Sequence, residues 1–233
     1  ACRIDSIAQS WSVLAGAAEP AHAAQAMASN QRELVDPGHR LSRLFTPPFD
    51  HAKENPGYIR GYPPGVRENG GQYTHGAVWS IFAWAALGDG GRAAELFGYF
   101  NPVRHGDGAD AAAHYRVEPY VSCADVYSVD GLAGRGGWTW YTGSAAWLYR
   151  AGLEAMLGFR KQGDRLRIDP CVPKHWSGFE LDYRHRGAQQ STRYAIRVEN
   201  PRGVCRGVRV LELDGRALPP EEPFALADDG GDH

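Results

Sequence analysis

The chain of 233 residues has no apolar run approaching the ~20 residues that a membrane-spanning helix needs, and no leader-peptide pattern opens it. It has no basic excess either. Lys and Arg number 25 against 27 Asp and Glu, a formal net charge of −2, which argues against a partner held by displaced counterions, nucleic acid above all. Cysteine is scarce: Cys2, Cys123, Cys171 and Cys205 are far apart and form no Cys-x-x-Cys pair, so free thiols in a reducing compartment are expected. The nine histidines show no His-x-x-x-His spacing with a helix Glu, and no metal site is expected. The Gly-rich stretch Gly88–Ala94 follows a helical pattern and lacks Gly-Lys-Ser/Thr, Gly106–Asp110 does not have the calcium-loop order, and no Gly-x-Ser-x-Gly occurs. Phosphate loop, EF-hand and esterase elbow are thereby set aside.

What the chain does have is aromatic residues next to polar ones. It carries 7 Trp, 11 Tyr and 8 Phe, many beside Gly, Asp, Glu or Arg, as in clefts where ring faces stack on sugars and polar groups fix hydroxyls. Up to Gly158 the pattern is helical: "IDSIAQSWSVLAGA" with Asp5 and Ser6 as capping candidates, "PAHAAQAMASNQRELVD" opening at Pro20, "HGAVWSIFAWAALGDG", "GRAAELFGYFNP", and "TGSAAWLYRAGLEAMLG" with Ala146, Tyr149, Leu153 and Leu157 on one face. Beyond Gly158 the period becomes two in "RLRIDPCVP", "GFELDYRHR", "TRYAIRVEN" and "GVRVLELDG", with the tail open between an edge strand and a frayed end. An α+β chain is expected, with helices over residues 1–157 and an antiparallel β-sandwich over 158–233.

Three constellations suggest chemistry. "GVRENGGQYTHGAVW" places Arg67, Glu68, two glycines and His75 at the start of a helix, where glycines let backbone amides approach a ligand and the free amides favour an anion. His75 is open between a helix cap and a phosphate or carboxylate donor; Arg67 offers a planar fork and Glu68 an acceptor for hydroxyls. "GRGGWTWYTGSAAW" repeats the grammar, with Thr142, Gly143 and Ser144 opening a helix, where N-capping alone would account for Thr and Ser. Were the two helix starts to converge, they would cradle a dianion such as phosphate. "YRVEPYVSCADVY" contributes Glu118, Tyr120 and Asp125, carboxylates that are either structural and substrate-binding or an acid–base pair of the inverting kind.

These stretches, with "IDPCVPKHWSGFELDYR", resemble glycoside hydrolase family 94, which comprises cellobiose and chitobiose phosphorylases and the C-terminal region of cyclic β-1,2-glucan synthases; "VENPRGV" and "LELDG" are most similar to the synthase branch. The resemblance spans nearly the whole chain. It implies the last hairpins of an (α/α)₆ barrel followed by a β-sandwich. It also implies reversible phosphorolysis with inversion, in which phosphate attacks the anomeric carbon of a β-linked glucoside while a carboxylic acid protonates the leaving oxygen. On that resemblance His75, Thr142 and Gly143 bind phosphate, Arg67 contacts the acceptor-side sugar, and Glu68, Glu118 and Tyr120 are further substrate contacts. No cofactor is implied, only inorganic phosphate as co-substrate, with a β-glucan oligosaccharide and glucose 1-phosphate as partners.

One departure counts heavily. The family's general-acid Asp, in a Trp-Asn-Asp-like motif, and a phosphate-binding Arg are expected upstream of Ala1 and are not in these residues. No residue here is therefore expected to be the catalytic acid. Losing a general acid costs about 10²–10⁴-fold, so the chain alone is expected to be inactive, a fragment opening in the approach to a helix. It would be the cytoplasmic end of a large inner-membrane protein, or part of a cytosolic, dimeric phosphorylase. Two other functions stay open: an inverting β-glucan hydrolase using Glu118 or Asp125, and a non-catalytic carbohydrate-binding or chain-length-sensing module.

Overall fold

The computed structural model describes residues 2–51, 53 and 55–233. Strand β1 (Ile4–Asp5) runs into helix α1 (Ser6–Leu14), where Asp5 is the N-cap, its carboxylate accepting from the Ile7 and Ala8 amides at 2.8 and 3.1 Å. Helix α2 (Pro20–Leu34) has Pro20 at its first position, where the missing N–H costs nothing. Short strands β2 (Val35–Asp36), β3 (Leu41–Ser42) and β4 (Phe45–Thr46) fold the chain back, β4 pairing with β1. After a single 3₁₀ turn at Gly57–Gly61 comes β5 (Gln72–Tyr73), which leads directly into α3 (Thr74–Ala86).

Helix α3 is apolar nearly all round, because it is covered on several sides: it packs against α1, α4 (Gly90–Phe100) and α7 (Thr142–Arg150). Val78, Ile81 and Ala85 of α3, Ala93, Leu96 and Phe100 of α4, and Leu148 of α7 form one buried cluster. Asp89 caps α4 through the Arg92 amide at 2.9 Å, and Asn101 caps the short α5 (Pro102–His105), which starts on Pro102. Helix α6 (Ala109–Tyr115) ends on Arg116 in a left-handed conformation. Strands β6 (Asp125–Val126) and β7 (Gly136–Gly137) then pair side by side with β5.

Helix α7 continues as a π-helical turn, Ala151–Met156. The expected stripe nevertheless lies off the buried face, which keeps ordinary helical spacing. Tyr149 is exposed and Ala146 lies at the surface, while Ser144, Leu148, Ala151 and Ala155 are buried.

The β region begins with a hairpin of β8 (Phe159–Gln162) and β9 (Arg165–Ile168); periodicity finds β9 and misses β8, since Arg160, Lys161 and Gln162 are all exposed and show no alternation. A long hairpin of β10 (Gly178–Arg186) and β11 (Ser191–Glu199) follows, then β12 (Leu211–Leu213) with β13 (Arg216–Leu218). The tail does hold an edge strand: β14 (Phe224–Ala225) pairs with β9. All pairings between these strands are antiparallel, and side chains from β8, β9, β10, β11, β12 and β14 share a core around Leu166 and Tyr194. The turn into this region needs Gly158: its φ is +70°, and a Cβ there would fall 2.1 Å from the Asp169 carbonyl carbon.

Arg206 fastens the strands to the helices, donating to the Ala86 carbonyl at 3.0 Å and to Asp169 Oδ2 at 2.8 Å. The chain is thus α+β in composition. Among the described residues no helix is long and apolar enough to cross a membrane, and no cluster of His, Cys, Asp and Glu could hold a metal ion.

Candidate functional site

The three sequence constellations meet through one small ribbon. In β5–β6–β7, Tyr73 lies opposite Asp125, and Asp125 opposite Gly137. Backbone bonds extend the ladder on one side: the Thr74 amide donates to Ala124 O at 2.9 Å, the Ala124 amide to Trp138 O at 2.8 Å, and the Tyr141 amide to Ser122 O at 3.3 Å. The ribbon therefore delivers two helices, α3 and α7, to the same place with their N-termini adjacent.

Those N-termini match position for position. The N-caps are Tyr73 and Tyr141, and neither side chain caps its own helix; His75 and Gly143 each occupy the second helical position. A Cβ built on Gly143 would come 3.5 Å from His75 Nδ1. Thr142, expected as a possible N-cap, is instead the first helical residue and is exposed, and Ser144 bonds the Tyr141 carbonyl at 2.9 Å and the Ser122 hydroxyl at 2.9 Å. Helix-start amides with no capping side chain and partial positive charge face this junction, an arrangement suited to an anion.

His75 is packed by aromatics: Tyr73 stacks at 6.2 Å, Trp79 meets it edge-on at 5.0 Å and Trp147 lies at 5.9 Å. Burial holds its imidazole below the usual histidine range, so at neutral pH the ring is uncharged and offers one N–H donor. The Tyr73 phenol is pushed up by burial, with Tyr141 beside it adding to the shift.

Arg67 sits across the ribbon from this junction in a left-handed conformation, φ +50°. Its amide donates to the buried Asp125 carboxylate at 3.0 Å, and its guanidinium lies 4.5 Å over the Trp138 ring and 5.3 Å from Tyr62. Glu68 Oε2 accepts from Arg67 Nε at 3.5 Å. Trp138 and Trp140 are also left-handed, at φ +49° and +60°, and are 67% and 65% exposed. Three non-glycine residues in that region, two of them exposed tryptophans, cost strain that the ribbon must hold.

Glu118 and Tyr120 form the rim beyond. Trp140 Nε1 donates to Glu118 Oε1 at 3.2 Å, and the Tyr120 ring meets Trp140 edge-on at 6.3 Å. A hydrogen bond from its own backbone amide holds the Glu118 carboxyl below the usual range, so it is an ionised acceptor on the surface. Asp125 is different. Burial pushes its carboxyl up against the pull of the Arg67 amide, and it serves the loop instead of facing solvent.

The glycine pair needs correcting. Gly70 and Gly71 are buried, and a Cβ on them would strike Pro48 at 2.9 Å and the Arg67 carbonyl at 2.9 Å. They allow the loop to close on itself, with buried Asn69 bonding Phe49 N and O and Tyr62 O at 2.7, 2.9 and 2.8 Å.

A sequence model of the glycosyl hydrolase 94 superfamily, catalytic domain, matches residues 1–158. The chain belongs to the glycosyl hydrolase 94 superfamily. It is 56% identical over 186 residues to the cyclic beta-(1,2)-glucan synthase NdvB of Rhizobium meliloti, covering 80% of this chain and 7% of that protein. It is 34% identical over 207 residues to the N,N'-diacetylchitobiose phosphorylase of Vibrio furnissii, and 29% over 226 residues to the solabiose phosphorylase of Paenibacillus borealis. These matches cover 88% and 97% of this chain and 25% and 28% of the two phosphorylases. The chain thus spans well under a third of the length of the curated relatives it matches. Those relatives are, by name, a glucan synthase and carbohydrate phosphorylases.

Sequence reasoning missed Tyr73, Tyr141 and Trp138 as members of the site. The signal for the two tyrosines was present in the repeated Tyr-Thr that opens both helices, Tyr73-Thr74 and Tyr141-Thr142.

Proposed function

We propose that this chain is the phosphate-cradling and sugar-contacting part of an inverting glycoside phosphorylase that cleaves or forms β-linked, β-1,2 in preference, glucosides. The observation that carries the reading is the meeting of two uncapped helix N-termini at His75 and Gly143. In this reading phosphate takes hydrogen bonds from the α3 and α7 amides, the Thr142 hydroxyl and the neutral His75 ring. Electrostatic attraction at the two helix starts helps to hold the dianion.

The sugar lies against the exposed faces of Trp138, Trp140 and Tyr120, with Arg67, Glu68 and Glu118 on its hydroxyls. A phosphate oxygen forms the new bond to the anomeric carbon from the face opposite the glycosidic oxygen. That C–O bond breaks with its electron pair going to oxygen, and a carboxylic acid outside these residues protonates it. The configuration inverts, and sugar 1-phosphate leaves. In the synthesis direction the same atoms move in reverse.

The reading extends to architecture. The helices over residues 1–157 form one arc of an (α/α)₆ barrel, the strands over 158–233 form a β-sandwich, and the remaining hairpins and the acid come from the rest of a larger polypeptide at the cytoplasmic face of a membrane or from a homodimeric cytosolic enzyme. The 56% identity to a glucan synthase supports β-1,2-glucan as the substrate.

Titration calorimetry with inorganic phosphate tests the cradle on the chain itself. Thr142→Ala should weaken phosphate binding by about tenfold, ~1.4 kcal/mol, and should depress release of glucose 1-phosphate from β-1,2-gluco-oligosaccharides by the enzyme that contains this chain. Unchanged phosphate affinity and unchanged phosphorolysis in Thr142→Ala would sink the assignment.

A further inference from the structure

A cleft of about 890 Å³ opens where α4 passes beneath the Pro173–Trp176 turn, at the end of α7's π-helical turn opposite to its N-terminus. It shares no residue with the His75–Gly143 cradle. Along α4 its lining includes Gly91, Ala94 and Gly98, three or four residues apart and therefore on one helical face. Small residues at that spacing leave a trough instead of a ridge. A Cβ on Gly98 would meet nothing within 4 Å, so the space is open and not filled by a neighbour.

Over the trough stands Trp176, half-buried. Its amide donates to the Pro173 carbonyl at 3.0 Å and its carbonyl accepts from Asn200 Nδ2 at 3.1 Å. Asn200 also bonds the Val204 carbonyl at 2.9 Å and the Val204 amide at 3.0 Å, so the turn that carries the indole is fixed in advance. The two carboxylates of the lining are already engaged: Asp89 caps α4, and Glu95 holds Arg92 Nη1 at 2.8 Å and the Tyr99 hydroxyl at 3.0 Å. The other polar groups of the lining are Asn101, whose Oδ1 caps α5, and Arg104, Lys174 and His175, each with nitrogen that can donate.

We propose that this cleft is a second glycan-binding site, which holds a neutral gluco-oligosaccharide chain away from the phosphate cradle. A trough in the upper part of the ~300–1,000 Å³ range of small-ligand sites is too large for a single ion. A preset indole above a floor of small residues suits the flat apolar face of a pyranose, and the donors suit its hydroxyls. The 15 residues from Thr142 to Met156 separate cradle and cleft, roughly 20 Å along a helix axis. Sugar retained at that distance raises the local concentration of chain ends near the cradle without any change in the cradle itself. The proposal rests on the functional reading above only for the identity of the sugar.

Cys205, a half-buried free thiol in the lining, provides a readout independent of turnover. The rate of its alkylation by iodoacetamide, followed by peptide mass spectrometry, should fall several-fold on adding a linear β-1,2-gluco-oligosaccharide. The same protection should remain in His75→Ala. In Trp176→Ala and in Gly98→Trp, whose new side chain has room to lie in the trough, calorimetric affinity for the oligosaccharide should drop by about tenfold (~1.4 kcal/mol). Circular dichroism and an unchanged unfolding midpoint certify that both variants fold. No protection in the wild-type chain overturns the proposal, as does wild-type affinity in both cleft variants. Loss of protection in His75→Ala also overturns it, since the sugar would then sit at the cradle. Should phosphate prove irrelevant to the enzyme while Cys205 stays protected, the cradle reading fails and the cleft stands.

Discussion

Gly143 separates the needs of the fold from those of the ligand. It is the second residue of α7, where glycine's freedom in the unfolded chain is a liability. Replacing a helical glycine by alanine stabilises by roughly 0.5–1 kcal/mol, and the lower end applies in a first turn. A new methyl would lie 3.5 Å from His75 Nδ1 and 3.8 Å from its Cε1, ordinary contacts that demand no movement. Gly143→Ala should therefore raise the melting temperature by ~1–2 °C for a chain of this size. The ligand meets the opposite situation. An anion oxygen shared by the imidazole and the α7 amides must approach each donor to about 2.8 Å, inside the volume that the methyl takes. Phosphate affinity measured by calorimetry should fall by about tenfold, ~1.4 kcal/mol. A variant that is more stable and binds phosphate as the wild type does would refute the cradle, because nothing but the anion contends for that space. A variant that is less stable would refute the steric reasoning.

Three further outcomes follow from named contacts. Burial depresses the His75 pKa below its ordinary value of 6.5, so the unfolded chain takes up the proton first on acidification. The stability tied to the neutral ring is present above ~6.5 and is lost as pH falls through the folded value. An NMR titration in phosphate-free buffer should give a midpoint under 6.5 that rises when phosphate is added, and a midpoint at or above 6.5 without the anion would contradict it. Asp125→Ala strands the Arg67 amide and should cost ~1–3 kcal/mol in urea unfolding, while Asp125→Asn, which keeps an acceptor oxygen, should cost clearly less; equal costs would mean that the carboxylate's charge, not its acceptor, holds the loop. Arg206→Ala leaves the largely buried Asp169 without its fork and removes the bond to Ala86. It should lower stability by about 1–3 kcal/mol and open a separate unfolding step for the strands, which calorimetry would show as two transitions instead of one.

Much of the helical part is legible from local signals that act within a few residues. Asp5 before α1, Pro20 at the start of α2 and Asp89 before α4 each satisfy or omit amides of the turn that follows, and the structure places the helices there. The β10–β11 hairpin is equally legible, because one side of it packs on Phe159 and Leu166 and the other faces water. The failures share a cause. The Gly70–Gly71 pair was read from residue type as letting amides approach a ligand, but type does not reveal what lies opposite. Pro48 and the Arg67 backbone, close only through the fold, decide that the glycines serve packing. The last helix likewise buries Ser144, Leu148, Ala151 and Ala155, one of several faces with helical spacing, and what packs against α7 decides which of them turns inward.

The sequence by itself determined the kinds of group available for chemistry: an imidazole and a glycine each at the start of an apolar helix, exposed tryptophans among glycines, and a pair of carboxylates. It also carried the family, since such motifs in order persist at 56% identity. Only the tertiary structure decided that the two helix starts face one another. That convergence depends on Tyr73, Asp125 and Gly137 pairing across a ribbon whose strands are some fifty and ten residues apart in the chain. Long-range backbone hydrogen bonds carry no residue-type signature, because every amide and carbonyl can make them.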